Sequence, residues 1–301
     1  MNYRHAFHAG NFADVMKHAV LVRILVHLRG KPAPFRVIDT HAGAGRYDLA
    51  GEEAQRSGEW RDGIDRLVRA PIAARARALI APYLDAVAAC NGAGGLTAYP
   101  GSPALARAFL RPQDRLVACE LEPNAAAALA RHLAGDRRSK AVAIDGWTAL
   151  NAYVPPKERR GLVLVDPAFE DAGDFARLAP ALAAAHRKWA SGTYLAWYPI
   201  KERAAPDALA RRLRRSGVPK ILRAELTVAA PRAGTRLGAC GLIVINPPWT
   251  LAGELEILLP ELAVALSGRA RAPPASIGSP AKSSFATFPQ PWISLFLSGW
   301  L

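Results

Sequence analysis

The stretch Phe35-Arg36-Val37-Ile38-Asp39-Thr40-His41-Ala42-Gly43-Ala44-Gly45-Arg46 decides the fold. Its first five residues are a short buried strand, ending on an acid. The next seven form a glycine-rich turn, in which glycines permit positive φ and let a ligand approach the backbone. A strand that opens at its carboxyl end into such a turn is how sheets that hold nucleotide cofactors begin. The turn is not the Gly-x-Gly-x-x-Gly fingerprint, because Arg46, Tyr47 and Asp48 come after Gly45. That weakens a hydride-transfer enzyme and favours S-adenosylmethionine as the cofactor.

Upstream, Asn11 to Leu28 reads as a helix: Phe12, Val15, Met16, Ala19 and Val20 recur at helical spacing and Asn11 is placed to cap it. Downstream, residues 47–99 differ in character. Charges of both signs nearly cancel there, Ile64, Leu67, Val68, Ile80, Tyr83, Leu84 and Val87 mark helices, and 91–95 is a loop, so the segment reads as a small helical insertion. Ser102, with Pro103 after it, reads as the N-cap of a helix. Strands at 116–120, 141–144, 162–166 and 194–197 then alternate with helices, and the last two, 221–228 and 242–245, have no helix between them and read as a hairpin. The organisation expected is 1–46 as the first helix, strand and turn of the main domain, 47–99 as the insertion, 100–267 as the rest of the main domain, and 268–301, rich in Ala, Pro and Ser, as a disordered tail. The fold class is α/β: a mostly parallel, Rossmann-like sheet with helices on both faces, a C-terminal antiparallel hairpin and a small helical insertion.

The formal net charge is +14, from 39 basic and 25 acidic side chains. A GC-rich genome explains Arg over Lys but not that imbalance, so a polyanion, nucleic acid first, is the partner to expect. Basic clusters stand at Lys201 to Arg223, at Arg137, Arg138 and Lys140, and at Lys157, Arg159 and Arg160. Part of this charge is ordinary solvated helix face; the patches near the strand ends are expected to matter and the others to be incidental. Cys90, Cys119 and Cys240 are too far apart for a metal knuckle or redox pair, and the latter two read as core residues. With a polar N-terminus and no apolar run of membrane-spanning length, secreted and membrane classes drop out and a cytoplasmic protein is expected.

Open parallel sheets bind ligands beyond the carboxyl ends of their strands. Asp39, Glu120, Asp145 (with Gly146) and Asp166 stand at four such ends in succession. Each alone reads as a cap or turn former; as a set they point to a cofactor site, with Glu120 suited to a bidentate bond with ribose hydroxyls and Asp145 placed for an adenine amine. Asp166-Pro167-Ala168-Phe169 is the sharpest signal. An amine conjugated to a purine has a delocalised lone pair. The Asp166 carboxylate and the Pro167 carbonyl can accept its two hydrogens and localise the pair, while Phe169 stacks on the base. This tetrapeptide is similar to the Asp-Pro-Pro-Tyr signature of adenine and cytosine amino-methyltransferases. Ala168 replaces the second proline, which removes φ rigidity from the loop.

The run from Tyr3 to His18, which includes His5-Ala6-Phe7-His8-Ala9-Gly10-Asn11-Phe12-Ala13-Asp14, closely resembles the RlmJ family of bacterial 23S ribosomal RNA methyltransferases that make N6-methyladenine. Residues 39–47, Tyr99-Pro100-Gly101-Ser102-Pro103, Arg159-Arg160-Gly161-Leu162, Gly192-Thr193-Tyr194, Trp197-Tyr198-Pro199 and Ile245-Asn246-Pro247-Pro248-Trp249 extend the resemblance to about Leu266. It implies that His18, His41, Gly43, Ser102, Glu120, Asp145, Gly146 and Asp166 contact S-adenosylmethionine or line its pocket, that Asp166, with Pro167 and Phe169, is catalytic, and that Tyr3, His5 and Lys17 meet the RNA. It also implies a helical subdomain after the glycine turn; the tail from Gly268 does not resemble the family's end.

Two other readings stand beside this one. A DNA amino-methyltransferase shares the tetrapeptide, but the insertion is too short for a target-recognition domain. A non-catalytic RNA-binding factor that kept the fold accounts for Ala168, but not for the acidic set. His5, His8 and His18 with Asp14 admit a metal site in principle, yet no second carboxylate is near in sequence, so no metal is expected. The chain is expected to work as a monomer, on naked or partly assembled 23S RNA, from which the target base can leave its stack.

Overall fold

The computed structural model describes residues 4–171, 173–229, 236–268 and 295–298. A 3₁₀ turn at His5–Phe7 leads into helix α1 (Phe12–Arg29). Asn11 caps α1 by accepting from the backbone of Ala13 and Asp14 at 3.0 Å, as its position predicts. After strand β1 (Phe35–Asp39) come β2 (Arg46–Asp48), helices α2 (Glu52–Ser57), α3 (Arg66–Arg69) and α4 (Ala74–Ala89), and β3 (Ala98–Pro100). β2 and β3 pair antiparallel, so the helices between them leave and rejoin the main body at one point.

The alternation then runs α5 (Ser102–Ala108), β4 (Arg115–Glu120), α6 (Pro123–Leu133), β5 (Ser139–Ala143), α7 (Gly146–Tyr153), β6 (Arg160–Val165), α8 (Asp174–Lys188), β7 (Thr193–Pro199), α9 (Ala204–Arg215), β8 (Ile221–Thr227), β9 (Ala239–Ile245), α10 (Leu251–Ser267) and β10 (Leu295–Ser298). The main sheet has the order β10-β8-β9-β7-β6-β1-β4-β5. β5, β4, β1, β6 and β7 are mutually parallel; β9 is antiparallel to both β7 and β8. The expected C-terminal hairpin is thus formed, with β9 slotted between β7 and β8 rather than added outside them.

Period-two alternation explains the layers. In β6, Leu162 and Leu164 join the core under α1, α5, α6 and α10, whereas Val163 and Val165 join the core under α7, α8 and α9. Helix α10 packs on α1, α3, α4 and β8. Of the tail expected to be disordered, most lies outside the described residues, but Leu295–Ser298 pairs antiparallel with β8 as an edge strand. Among the described residues no helix is long and apolar enough to cross a membrane.

Candidate active site

All the parallel strands end on one side, and the N-terminus of α1 points there as well. Asp14 and Lys17 sit one turn apart on α1 and are both buried. Lys17 Nζ lies 2.7 Å from Asp14 Oδ1 and 2.5 Å from Asp166 Oδ2, at the end of β6. The other Asp14 oxygen takes His5 Nε2 at 3.0 Å and the Gly10 backbone N–H at 2.9 Å. His5, Asp14, Lys17 and Asp166 therefore form one chain of contacts from the N-terminal turn to the strand end. Burial alone would raise the Asp14 pKa, but His5 and Lys17 outweigh it and hold the carboxyl well below its usual range. Burial works against the Lys17 charge, and Asp14 and Asp166 together hold it well above an ordinary lysine. The Asp166 Oδ1 atom has no hydrogen-bond partner among the described residues.

The insertion holds the N-terminal turn over this site. Glu59 takes His8 Nδ1 at 2.9 Å and the Asn11 amide at 3.0 Å, Arg4 reaches Glu53 at 2.5 Å, and Ile64 N–H donates to the Gly10 carbonyl at 2.8 Å. Tyr3 lies outside the described residues.

A second group lines the turn after β1. Ser102 does not cap α5, whose N-cap is Gly101; its hydroxyl donates instead to Asp39 Oδ2 at 2.6 Å. Asp39 is 1% exposed, its Oδ1 is buried with no partner, and burial pushes its carboxyl up to about 7. His18 Nδ1 meets the Tyr99 hydroxyl at 2.7 Å, which meets Tyr83 at 2.9 Å, while His18 Nε2 is buried and unpartnered. Burial pushes the His18 imidazole down to about 3 and that of His41 to about 4, so both are neutral at pH 7. Thr40 Oγ1 donates to the Leu164 carbonyl and so accepts from His41 Nδ1 at 2.8 Å, leaving His41 Nε2 as an acceptor.

Glu120 receives the backbone N–H groups of Gly43, Leu121 and Glu122, each at 2.8 Å. Gly43 has φ +61°, and a Cβ there would strike the Tyr47 hydroxyl. Asp145 caps α7 through Thr148 N–H and hydroxyl at 2.8 and 2.9 Å. A Cβ on Gly146 would collide with His41 and the Thr40 carbonyl, so only glycine leaves that cradle open. Leu121, 55% exposed beside Glu120, is an apolar wall that a reading for acids passes over; its signal is its place directly after the strand-end glutamate. Phe169 takes φ +52°, a strained conformation for an aromatic residue, and its ring packs at 4.7 Å from Phe175 and 5.7 Å from Trp197. Ring packing fixes the loop that Ala168 leaves without a second proline. Among the described residues no three His, Cys, Asp or Glu groups converge as metal ligands.

A mixed sheet of this order, with acids at successive strand ends around a glycine turn and an Asp-Pro-Ala-Phe loop, defines a class I methyltransferase. The chain belongs to the family described as ribosomal RNA large subunit methyltransferase D, RlmJ, whose model matches residues 32–272. It is 40% identical over 262 residues to ribosomal RNA large subunit methyltransferase J of Escherichia coli (strain K12), covering 87% of this chain and 92% of that one. The protein of the same name from Haemophilus influenzae is 38% identical over 263 residues, with the same coverage. A crystal structure from Legionella pneumophila superposes with a TM-score of 0.80 at 31% identity, covering 97% of this chain and 99% of that one. Membership of a methyltransferase family implies S-adenosylmethionine in general terms, and it favours neither a DNA-directed enzyme nor a non-catalytic factor.

Proposed function

We propose that this chain transfers a methyl group from S-adenosylmethionine to N6 of an adenine in 23S ribosomal RNA, acting as a monomer in the cytoplasm. The observation that carries this reading is Asp166 at the end of β6, with Lys17 on Oδ2 and Oδ1 open, inside the tetrapeptide of amine-directed enzymes. The pocket fits the cofactor on two counts. Two buried polar atoms, Asp39 Oδ1 and His18 Nε2, are unpartnered. They offer an acceptor and a ring nitrogen to the ammonium and carboxylate of an amino acid moiety. The cradle at Gly146 is one that a Cβ would fill. Ser102 and His41 belong to this group, Glu120 would take the ribose hydroxyls, and Leu121 with Asp145 would border the adenine.

When bound, S-adenosylmethionine supplies an electrophilic methyl on a sulfonium. The protein's part is to ready the nucleophile. Asp166 Oδ1 and the Pro167 carbonyl accept the two N6 hydrogens and draw the lone pair out of conjugation, and Phe169 stacks on the base. Methyl transfer would break the donor's S–CH₃ bond, leave a neutral thioether and put positive charge on N6; Asp166 would stabilise that charge and its Oδ1 would take the proton. Lys17 keeps Asp166 in place and, through Asp14 and His5, joins it to the turn that would meet the RNA with Tyr3. Mass mapping of protein-free 23S RNA treated with the protein and S-adenosylmethionine tests the reading: one new N6-methyladenosine is expected, and unmodified RNA contradicts it.

A further inference from the structure

At the catalytic end exposed Arg46 and Lys201 stand among acids. Asp14, Glu120, Asp145, Asp166, Glu202 and Glu225 stand there, and Arg203 nearby is committed to Glu225 and Asp207 at 2.8 and 3.0 Å. A second group of basic residues lies at the opposite end, where the parallel strands begin. Register places these residues together: Arg160 opens β6 opposite Phe35, Thr193 opens β7 opposite Leu162, and Ile221 opens β8 opposite Ile245. Lys157, Arg159, Arg187, Arg215 and Lys220 are exposed on this end. None has a salt-bridge partner among the described residues. The acids of the same end are neutralised locally: Glu158 by Arg36 at 2.6 Å and Asp114 by Arg111 at 2.8 Å.

Trp249, 77% exposed, stands on the same end, in the loop that follows β9. The loop that presents it is tightly held. Asn246 takes φ +50° and neighbouring Lys220 φ +51°. The Asn246 amide donates to the Ala190 and Gly192 carbonyls at 2.8 and 2.9 Å, its N–H to the Lys220 carbonyl at 3.0 Å, and Thr193 Oγ1 donates to its carbonyl at 2.9 Å. Asn enters the left-handed region readily, and the four hydrogen bonds of Asn246 fix the loop that carries Trp249. An exposed aromatic face on the same end as several unpaired cations matches single-stranded nucleic acid: stacking for a base, charge for its backbone.

We propose that this end of the sheet is a second RNA-contacting face, on which a base of the same substrate stacks on Trp249 while its flanking phosphates lie on Arg159, Arg215 and Lys220. This rests on the reading of the protein as an RNA enzyme. β7, with seven residues at about 3.3 Å each, puts the face roughly 20 Å from the catalytic end, so it engages RNA outside the segment that carries the target base. The cluster at Lys157, Arg159 and Arg160, incidental on sequence position alone, thereby acquires a role.

The test is equilibrium filter binding of protein-free 23S RNA across a salt series. Arg159→Glu/Lys220→Glu should weaken binding tenfold or more and reduce the log–log salt slope by about two. Trp249→Ala should weaken it about five- to tenfold with the slope unchanged, because stacking releases no counterion. Affinities and slopes within twofold of wild type overturn the proposal. So does a sedimentation result in which Trp249→Ala dissociates a wild-type dimer while RNA affinity holds, since Trp249 would then seat a second copy. Methyl transfer by the wild type to the same RNA is scored separately: its failure removes the RNA-methylation reading, whereas failure of the two variants alone removes only the face.

Discussion

Lys17 bridges two carboxylates in a dry environment, so its removal leaves Asp14, 2% exposed, and Asp166 without their cation. Breaking a buried pair on one side costs about 3–5 kcal/mol. Lys17→Ala is therefore expected to lower unfolding free energy by that order in urea titrations and to reduce methyl transfer by about a hundredfold or more. Stability within 1 kcal/mol of wild type would show the bridge to be dispensable. Gly146→Ala places a methyl group against His41 and 2.5 Å from the Thr40 backbone carbonyl, so calorimetry should find S-adenosylmethionine affinity down at least tenfold, with a lowered melting temperature because backbone must shift. At this scale the sequence is informative about identity and less so about partners. Asp166, Glu120, Asp145 and Lys17 stand out by type and position. That Ser102 would leave its helix end to bond Asp39, or that His18 would be buried against Tyr99, depends on residues 63 and 81 positions away and carries no local mark.

Helix α1 is the element that unites fold and site: its N-terminus delivers Asp14, Lys17 and His18, and the rest of its length is core. Asn11 satisfies two of its free N–H groups. Asn11→Ala should cost about 1 kcal/mol by chemical denaturation and cut transfer more than stability alone explains, because the cap also bonds Glu59 of the insertion. Both the helix and its cap are legible from spacing, as are the alternating strands and the final antiparallel pair. Helix α10 carries the same kind of spacing in Leu251, Leu255, Leu258, Leu259 and Leu262, and Pro260 inside that run is the signal that argues against a helix there. The slotting of β9 between β7 and β8 is invisible, since an antiparallel pair adjacent in sequence reads the same whichever strand meets the sheet.

Across the whole molecule, buried neutral histidines contribute to the response to acid alongside carboxylates such as Asp14 that are held low. His18 and His41 have folded pKa values of about 3 and 4, below the unfolded value of 6.5. The unfolded chain binds protons there that the folded one refuses. Their contribution is complete above pH 6.5 and is lost as pH falls toward 3–4, with a limiting slope of about 1.4 kcal/mol per pH unit for each. Asp39, raised to about 7, acts oppositely: stability falls as pH rises from about 4 to 7. His18→Gln should flatten the acid limb of melting temperature against pH; an unaltered limb would place the acid sensitivity elsewhere. The net charge of +14 points to a polyanion, but only the strand register shows that one group of it, Arg159, Arg215 and Lys220, lies at the end away from the catalytic one.

The central claim is that Asp166 activates an adenine amine of RNA. It is tested by single-turnover transfer of labelled methyl from S-adenosylmethionine to protein-free 23S RNA, comparing wild type with Asp166→Ala and verifying by calorimetry that the variant still binds S-adenosylmethionine. The account predicts label recovered as N6-methyladenosine with wild type, and a rate at least a thousandfold lower in the variant, about 4 kcal/mol of lost transition-state stabilisation. Transfer by Asp166→Ala within tenfold of wild type, or label recovered on any other nucleoside, would contradict it.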